Sequence, residues 1–336
     1  METVMNPEFK ALIVNKGENR TFTYSVGTNT VGSLPDEDVL VRVHYSSINY
    51  KDCMSCQGNP AVTRRFPHTP GLDAAGIVEQ SSSPNFQVGD EVIICATPMG
   101  MNTPGGFGQY VRVPSSWLMK NVEGLSLEEA MAFGTAGYTA ALSVEAIQDS
   151  LGDLKDHTAL ITGATGGLGS ISVALLSAQG CKVTAVTGQD EAHDFLYEIG
   201  ADEILSRADF EDTTGRNMLA ARWDAAIDVA SGNTLATAIK SLNDNGVAIA
   251  TGMIGNTALE TNILPFILRG IRLIGINAEN TDAGHRTRVW TQLANAWKPK
   301  SLSSLYTMIT LDDLPEAIDT VWNGKQQGRI VIDMRD

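Results

Sequence analysis

The sequence predicts an α/β protein with a Rossmann-type, doubly wound parallel sheet domain inserted in a barrel-like β domain. Three observations carry this reading. Short β-type segments broken by glycine and proline fill the first part of the chain. Strands and helices alternate from about residue 125. The tail then closes with another strand-like run, RIVIDM. The expected division assigns residues 1–124 and 298–336 to the outer domain and 125–297 to the inserted one. A length of 336 residues suits two domains, at roughly 150 residues each.

In the first part, VLVRVHYSSI (39–48), AAGIVEQ (74–80) and VGDEVIICA (88–96) read as strands. Pro70-Gly71, Gly89-Asp90 and Pro104-Gly105-Gly106 punctuate them, which is the spacing of a barrel-like β domain. GFGQYVRVPSSWLMKN (106–121) adds a strand pair. From residue 125, LSLEEAMAFGTAGYTAALSVEAIQ has helical periodicity, with Ser126 as N-cap and Glu129 three residues on, the pattern of a capping box. TALITGA (158–164), KVTAVTG (182–188), EILS (203–206), AAIDVAS (225–231), GVAIATG (246–252) and RLIGINA (272–278) are strands of one sheet. Their near-continuous apolar character marks a parallel sheet covered on both faces. A helix over about 285–297 precedes the tail.

The chain is 43% hydrophobic and can bury a sizeable core. With 24 basic and 39 acidic side chains its net charge is −15, which argues against nucleic acid and anionic membranes as partners. No apolar run approaches the roughly 18 residues that span a bilayer. METVMNPEFK lacks the pattern of a signal peptide, and four unevenly spread cysteines make no disulfide framework. The expectation is a cytoplasmic protein.

Between TALITGA and the helix that follows lies Ala164-x-Gly166-x-x-Gly169, with further glycines at 163 and 167. Glycines there let the backbone turn tightly and approach a pyrophosphate resting on a helix N-terminus. The strand–loop–helix context makes the motif specific. At the end of the next strand stand Thr187, Gly188 and Gln189, and the acids Asp190 and Glu191, which could accept from a ribose 2′-hydroxyl, come slightly later. Small polar residues leave room for a 2′-phosphate, and Arg207 can supply its countercharge. The expected cofactor is NADPH rather than NADH.

SSINYKDCMSC (46–56) contains a C-x-x-C pair, Cys53 and Cys56. No second pair accompanies it, and Cys95 and Cys181 are isolated. A zinc site needs three or four convergent ligands, so no metal is expected.

The segments SSINYKD, FPHTPGLDAAGIV, GDEV, GGFGQYVRVP, AMAFGTAGYTAAL, TGATGGLGS, PFILRGIRLIG and QQGR closely resemble a branch of the medium-chain dehydrogenase/reductase superfamily. It is the zinc-free acrylyl-CoA reductase branch (AcuI/YhdH type), also described as quinone oxidoreductase-like. The resemblance implies a GroES-like catalytic domain around the Rossmann domain. Zinc-dependent relatives place a cysteine ligand where this chain has Asn49, and a histidine where it has Leu72. By the same resemblance Asn49 and Tyr50 face the nicotinamide. Tyr50 then contacts the cofactor or donates a proton, and Asn49 orients ribose or substrate. Asp73 either orients the site from behind or stabilises a turn. The resemblance implies cofactor contacts at Tyr50, at Thr165, Gly166, Gly167 and Leu168, at Thr187, Gly188 and Gln189, and at Arg207, Met253, Ile254 and Arg329. Relatives often carry an arginine where this chain has Gln189.

The activity implied is NADPH-dependent reduction of the C=C bond of acrylyl-CoA or a similar short 2-enoyl-CoA. A quinone or enone oxidoreductase and a catalytically silent NADP-binding sensor are the alternatives. Arg64 and Arg65 either attract CoA phosphates or form a solvated basic loop. RLIGINA, as an exposed edge strand, points to a homodimer.

Overall fold

The computed structural model describes residues 6–335. Its chain forms two compact units, one running through Thr135 and resuming at Tyr306, the other Ala136–Leu305. The units exchange at 135/136 and 305/306, later in each case than the 124/125 and 297/298 read from the sequence. The reason lies in the first two turns of the helix Leu127–Leu151. Ala130, Met131, Ala132 and Phe133 are fully buried there, and Thr135 bonds Asp73 of the first unit.

The second unit contains a six-stranded parallel sheet. Its spatial order is Glu203–Ser206, Lys182–Thr187, Thr158–Thr162, Trp223–Asp228, Leu242–Ala250 and Arg272–Gly275. Counted along the chain this is 3-2-1-4-5-6, the doubly wound order that opens a crevice where the winding reverses. The reversal falls between Thr158–Thr162 and Trp223–Asp228. There Thr162 Oγ1 donates to Asp228 Oδ1 (2.7 Å), while Val229 N–H donates to Thr162 Oγ1 (3.1 Å). These bonds pin the two strand ends beside each other.

The first unit is built on a largely antiparallel sheet in the order Tyr306–Thr310, Arg329–Asp333, Val39–Ser47, Asp73–Ser81, Glu91–Ile94 and Met119–Lys120, with Tyr110–Val113 also pairing Val39–Ser47. Among the described residues, its only parallel pair is Tyr306–Thr310 with Arg329–Asp333. A hairpin, Glu8–Lys16 and Phe22–Thr30, lies beside it. Val41, Val43, Ile48, Val78, Ile94, Phe107, Val111 and Ile332 share one buried core. Both hairpin strands, and Tyr306–Thr310, go beyond the elements read from the sequence. The helix read as continuous from 125 breaks at Gly134, where φ is 52° and ψ −156°. Its start is as expected: Ser126 Oγ accepts from Glu129 N–H (3.1 Å) and Glu129 Oε2 from Ser126 N–H (3.0 Å).

Candidate active site

Strand pairing in the first unit sets Ser47 opposite both Asp73 and Val331. This brings the end of Val39–Ser47, the start of Asp73–Ser81 and the start of Arg329–Asp333 to one place. Asp73 is fully buried there. Its carboxylate accepts from Ser47 Oγ (2.8 Å), Asn49 Nδ2 (2.7 Å), Thr135 N–H (3.0 Å), Thr135 Oγ1 (2.5 Å) and Arg329 Nη2 (3.4 Å). Gly134 makes this closure feasible. A Cβ at that position would lie 2.4 Å from Asp73 Oδ2 and 2.7 Å from Arg329 Nη2. Its positive φ is one that only glycine adopts cheaply.

Arg329 is 2% exposed and donates in every direction. Nε reaches Ala132 O (3.3 Å), Nη1 reaches Ile48 O (2.6 Å) and Asn49 Oδ1 (3.3 Å), and Nη2 reaches Ser47 Oγ (2.7 Å) and Asp73. A guanidinium has five N–H donors, and all five are committed inside this unit. Arg329 therefore serves as an internal clamp instead of the direct cofactor contact expected from the sequence. A buried charge needs this many partners, and none of its donors is left for a ligand.

Asn49 is held from both ends of its amide, with Nδ2 on Asp73 and Oδ1 on Arg329. It precedes the helix Tyr50–Cys56. Tyr50 is half-buried, with its ring stacked on Trp322 at 5.4 Å and 13°. Burial raises its phenol above the ordinary value, which keeps the proton on. Asp52, on the same helix, is fully buried. It accepts from Asn49 N–H (2.8 Å), Leu72 N–H (2.9 Å) and Gly71 N–H (3.2 Å). Burial outweighs these donors and pushes its carboxyl up to about 7. Neither Asp52, Ser47, Thr135 nor Gly134 stood out in the sequence. The only signal available was Asp52 three residues after Asn49, a spacing that lets it cap the helix start.

Cys53 and Cys56 are buried free thiols, both raised by desolvation, and Cys53 Sγ points to Ile318 O at 3.7 Å. Among the described residues no three His, Cys, Asp or Glu side chains converge as metal ligands.

In the second unit the glycine loop joins the strand Thr158–Thr162 to the helix Gly167–Ala178, with Gly166 as N-cap. A Cβ at Gly169 would sit 2.2 Å from Gly163 O, so the helix packs directly on the loop backbone. Thr165 is buried, and Gly166, Gly167 and Leu168 are half-exposed. The first amides of a helix lack intrahelical acceptors, so the turn can hold an anion, and it fits the pyrophosphate of a dinucleotide. At the next strand end, Thr187 Oγ1 accepts from Gln189 N–H (3.0 Å). A methyl at Gly188 would lie 3.3 Å from Arg207 Nη2. The arginine thus stands over the small residues, although a helix and a strand separate them in sequence. Met253 and Ile254 lie beyond the strand Leu242–Ala250 and are 57% and 53% exposed.

Two family profiles match, the alcohol dehydrogenase GroES-like domain over 35–123 and the zinc-binding dehydrogenase family over 167–295. Acrylyl-CoA reductase AcuI of Ruegeria pomeroyi is 36% identical over 328 residues, covering 97% of this chain and 99% of that protein. The chain belongs to the medium-chain dehydrogenase/reductase superfamily. It falls in the acrylyl-CoA reductase and quinone oxidoreductase-like branch of that superfamily. YhfP of Bacillus subtilis, provisionally named a quinone oxidoreductase, is 36% identical over 98% of this chain and 99% of its own length. The yhdH oxidoreductase of Salmonella enterica, solved with NADP, superposes at a TM-score of 0.93 with 38% identity over 97% of this chain and 100% of that one. YhfP has been solved with NAD bound, at a TM-score of 0.92 over 97% of this chain and 99% of that one. The fold combines the GroES-like and Rossmann sheets of this superfamily.

Asp52 gives a pH signature. The folded chain holds its proton up to about 7, against an ordinary value of 3.8, so between these limits the folded state binds more protons than the unfolded one. Stability therefore falls as pH rises through that window. Asp52→Asn removes this fall. In urea titrations from pH 5 to 7.5, wild type loses about 2–3 kcal/mol relative to the variant; parallel pH profiles would contradict the assignment.

Proposed function

We propose that this protein reduces the C=C bond of acrylyl-CoA or a similar short 2-enoyl-CoA to the saturated acyl-CoA, with NADPH as cofactor and without a metal. The observation that carries the reading is the Asn49–Tyr50 pair. The amide of Asn49 is locked by Asp73 and Arg329. Among the described residues the Tyr50 hydroxyl has no hydrogen-bond partner. One group is fixed in orientation, and the other is protonated and open to a ligand.

NADPH, when bound, supplies the hydride. A 2-enoyl thioester is already activated, because its carbonyl makes the β-carbon electrophilic. Hydride addition there gathers negative charge on the thioester oxygen as an enolate, and a proton taken at the α-carbon then discharges it and completes the saturated acyl group. Tyr50 donates a hydrogen bond or a proton, which its raised phenol still carries. Asn49 keeps one Nδ2 hydrogen beyond the bond to Asp73, enough to orient a ribose or the acyl group. Asp73 and Arg329 hold that amide in register and touch no substrate.

Thr165, Gly166, Gly167 and Leu168 take the pyrophosphate, and Met253 and Ile254 offer apolar cover. Thr187, Gly188 and Gln189 leave space for a 2′-phosphate. Arg207 beside Gly188 pairs with it, which supports NADPH over NADH. The Salmonella relative binds NADP and the Bacillus one binds NAD.

The protein is also proposed to work as a homodimer. Among the described residues the strand Arg272–Gly275 ends the parallel sheet with one neighbour, and Ile263, Ile267 and Leu268 nearby are each more than 60% exposed. An open edge beside exposed apolar side chains invites a second copy. No helix is long and apolar enough to cross a membrane among the described residues.

A steady-state screen of cofactor oxidation tests the activity. The expected result is a kcat/KM for acrylyl-CoA at least tenfold above that for a simple quinone or a free enone, with NADPH preferred to NADH. Equal or better quinone turnover removes the thioester assignment, and NADPH binding without turnover of any substrate supports a silent sensor. Sedimentation at micromolar concentration should give twice the mass of 35.9 kDa; a monomer would contradict the dimer.

A further inference from the structure

The first unit carries a recess that the chemistry described so far leaves unused. It has a volume of about 470 Å³ and is lined by Asn15, Lys16, Arg64, Arg65, Phe66 and Pro67. We propose that it binds the phosphorylated nucleotide end of a CoA thioester. This rests on the 2-enoyl-CoA reading and gives that substrate a second anchoring point.

Charge is the first argument. Three cations share the recess in a chain whose net charge is −15. Among the described residues none of them pairs with a carboxylate. Adjacent like charges repel, and a ligand carrying several phosphates relieves that repulsion. Arginine suits phosphate because its planar fork binds two oxygens at once.

Preorganisation is the second. Arg64 Nε donates to Pro60 O (2.9 Å) and Arg64 N–H to Asn102 Oδ1 (2.9 Å). The guanidinium plane is thereby set and both Nη groups are left over. Just before it, the buried Thr63 hydroxyl meets Ser55 Oγ (2.7 Å) and donates to Met101 O (2.5 Å). Ser55 belongs to the helix Tyr50–Cys56, so the arginine loop is tied to the helix that begins with Tyr50. Phe66 completes the recess. It is half-buried, with its ring against Phe22 at 5.0 Å and edge-on to His68 at 6.3 Å. A ring held in this way offers its remaining face for a purine to stack on.

Two measurements on the Arg64→Ser/Arg65→Ser variant decide the matter. Both side chains are exposed, so the fold is preserved. The first compares KM for acrylyl-CoA with KM for the same acyl group on N-acetylcysteamine, which lacks the nucleotide. Wild type should favour the CoA ester by at least tenfold and the variant should lose that preference, with KM for NADPH unmoved. The second is calorimetric titration with CoA and with 4′-phosphopantetheine. CoA affinity should fall at least tenfold in the variant and phosphopantetheine affinity should stay. Unchanged CoA affinity, or weakened NADPH binding instead, overturns the proposal. The calorimetric arm needs no turnover. Failure of the enoyl-CoA activity with CoA binding intact would thus fault the reaction and leave the recess standing.

Discussion

A carboxylate with no access to water needs hydrogen-bond donors on every side, and meeting that need at Asp73 organises the first unit. Ser47, Asn49, Thr135 and Arg329 all point at it. Three strand ends are thereby held in register, and the helix from Leu127 is broken so that Thr135 can turn its amide inward. Replacing such a pair with apolar groups can be neutral. Leaving one partner behind is not, because the survivor is a buried charge without compensation. The cluster is better understood as a device for fixing geometry than as a source of net stability. What it fixes is the amide of Asn49.

The second unit solves a different problem by backbone means. Among the described residues, the proposed pyrophosphate cradle at the glycine loop uses backbone amides with no charged side chain. Close packing of Gly169 on Gly163 O brings helix amides to the strand end, while Thr162 and Asp228 tie the two strands at the reversal. In the proposed NADPH site, charge would enter at Arg207, which lies over Gly188. The division of labour suits an acidic protein: where the overall field repels phosphates, local amides and single cations supply the attraction.

Much of this was legible in the residues. The parallel strands are continuous apolar runs because both faces are covered, and the glycine loop announces itself between TALIT and its helix. Ser126 and Glu129 mark a helix start by their spacing. The hairpin Glu8–Lys16 with Phe22–Thr30 was not read, although Phe22, Tyr24 and Val26 alternate with Thr23 and Ser25; the alternation covers only the first half of that strand, which ends in the run GTNT (27–30). Nor was the break at Gly134, since a glycine within a helical pattern is compatible with an unbroken helix. The cofactor contact at Arg329 was implied only by resemblance, and nothing in the local sequence marks that side chain as buried. Only the pairing of Arg329–Asp333 with Val39–Ser47 carries it into the interior. Thr135 and Ser47 gain meaning solely from that tertiary meeting.

The coupling between Asp73 and Arg329 is the most direct test of this account, measured by a double-mutant cycle on stability with Asp73→Asn and Arg329→Met. Each single substitution should cost roughly 3–5 kcal/mol, because each strands a buried partner. The double variant should lose little more than either, a coupling of at least about 2 kcal/mol. Additive losses would mean that the two side chains are independent, and that the Asn49 amide is not held by them as a unit.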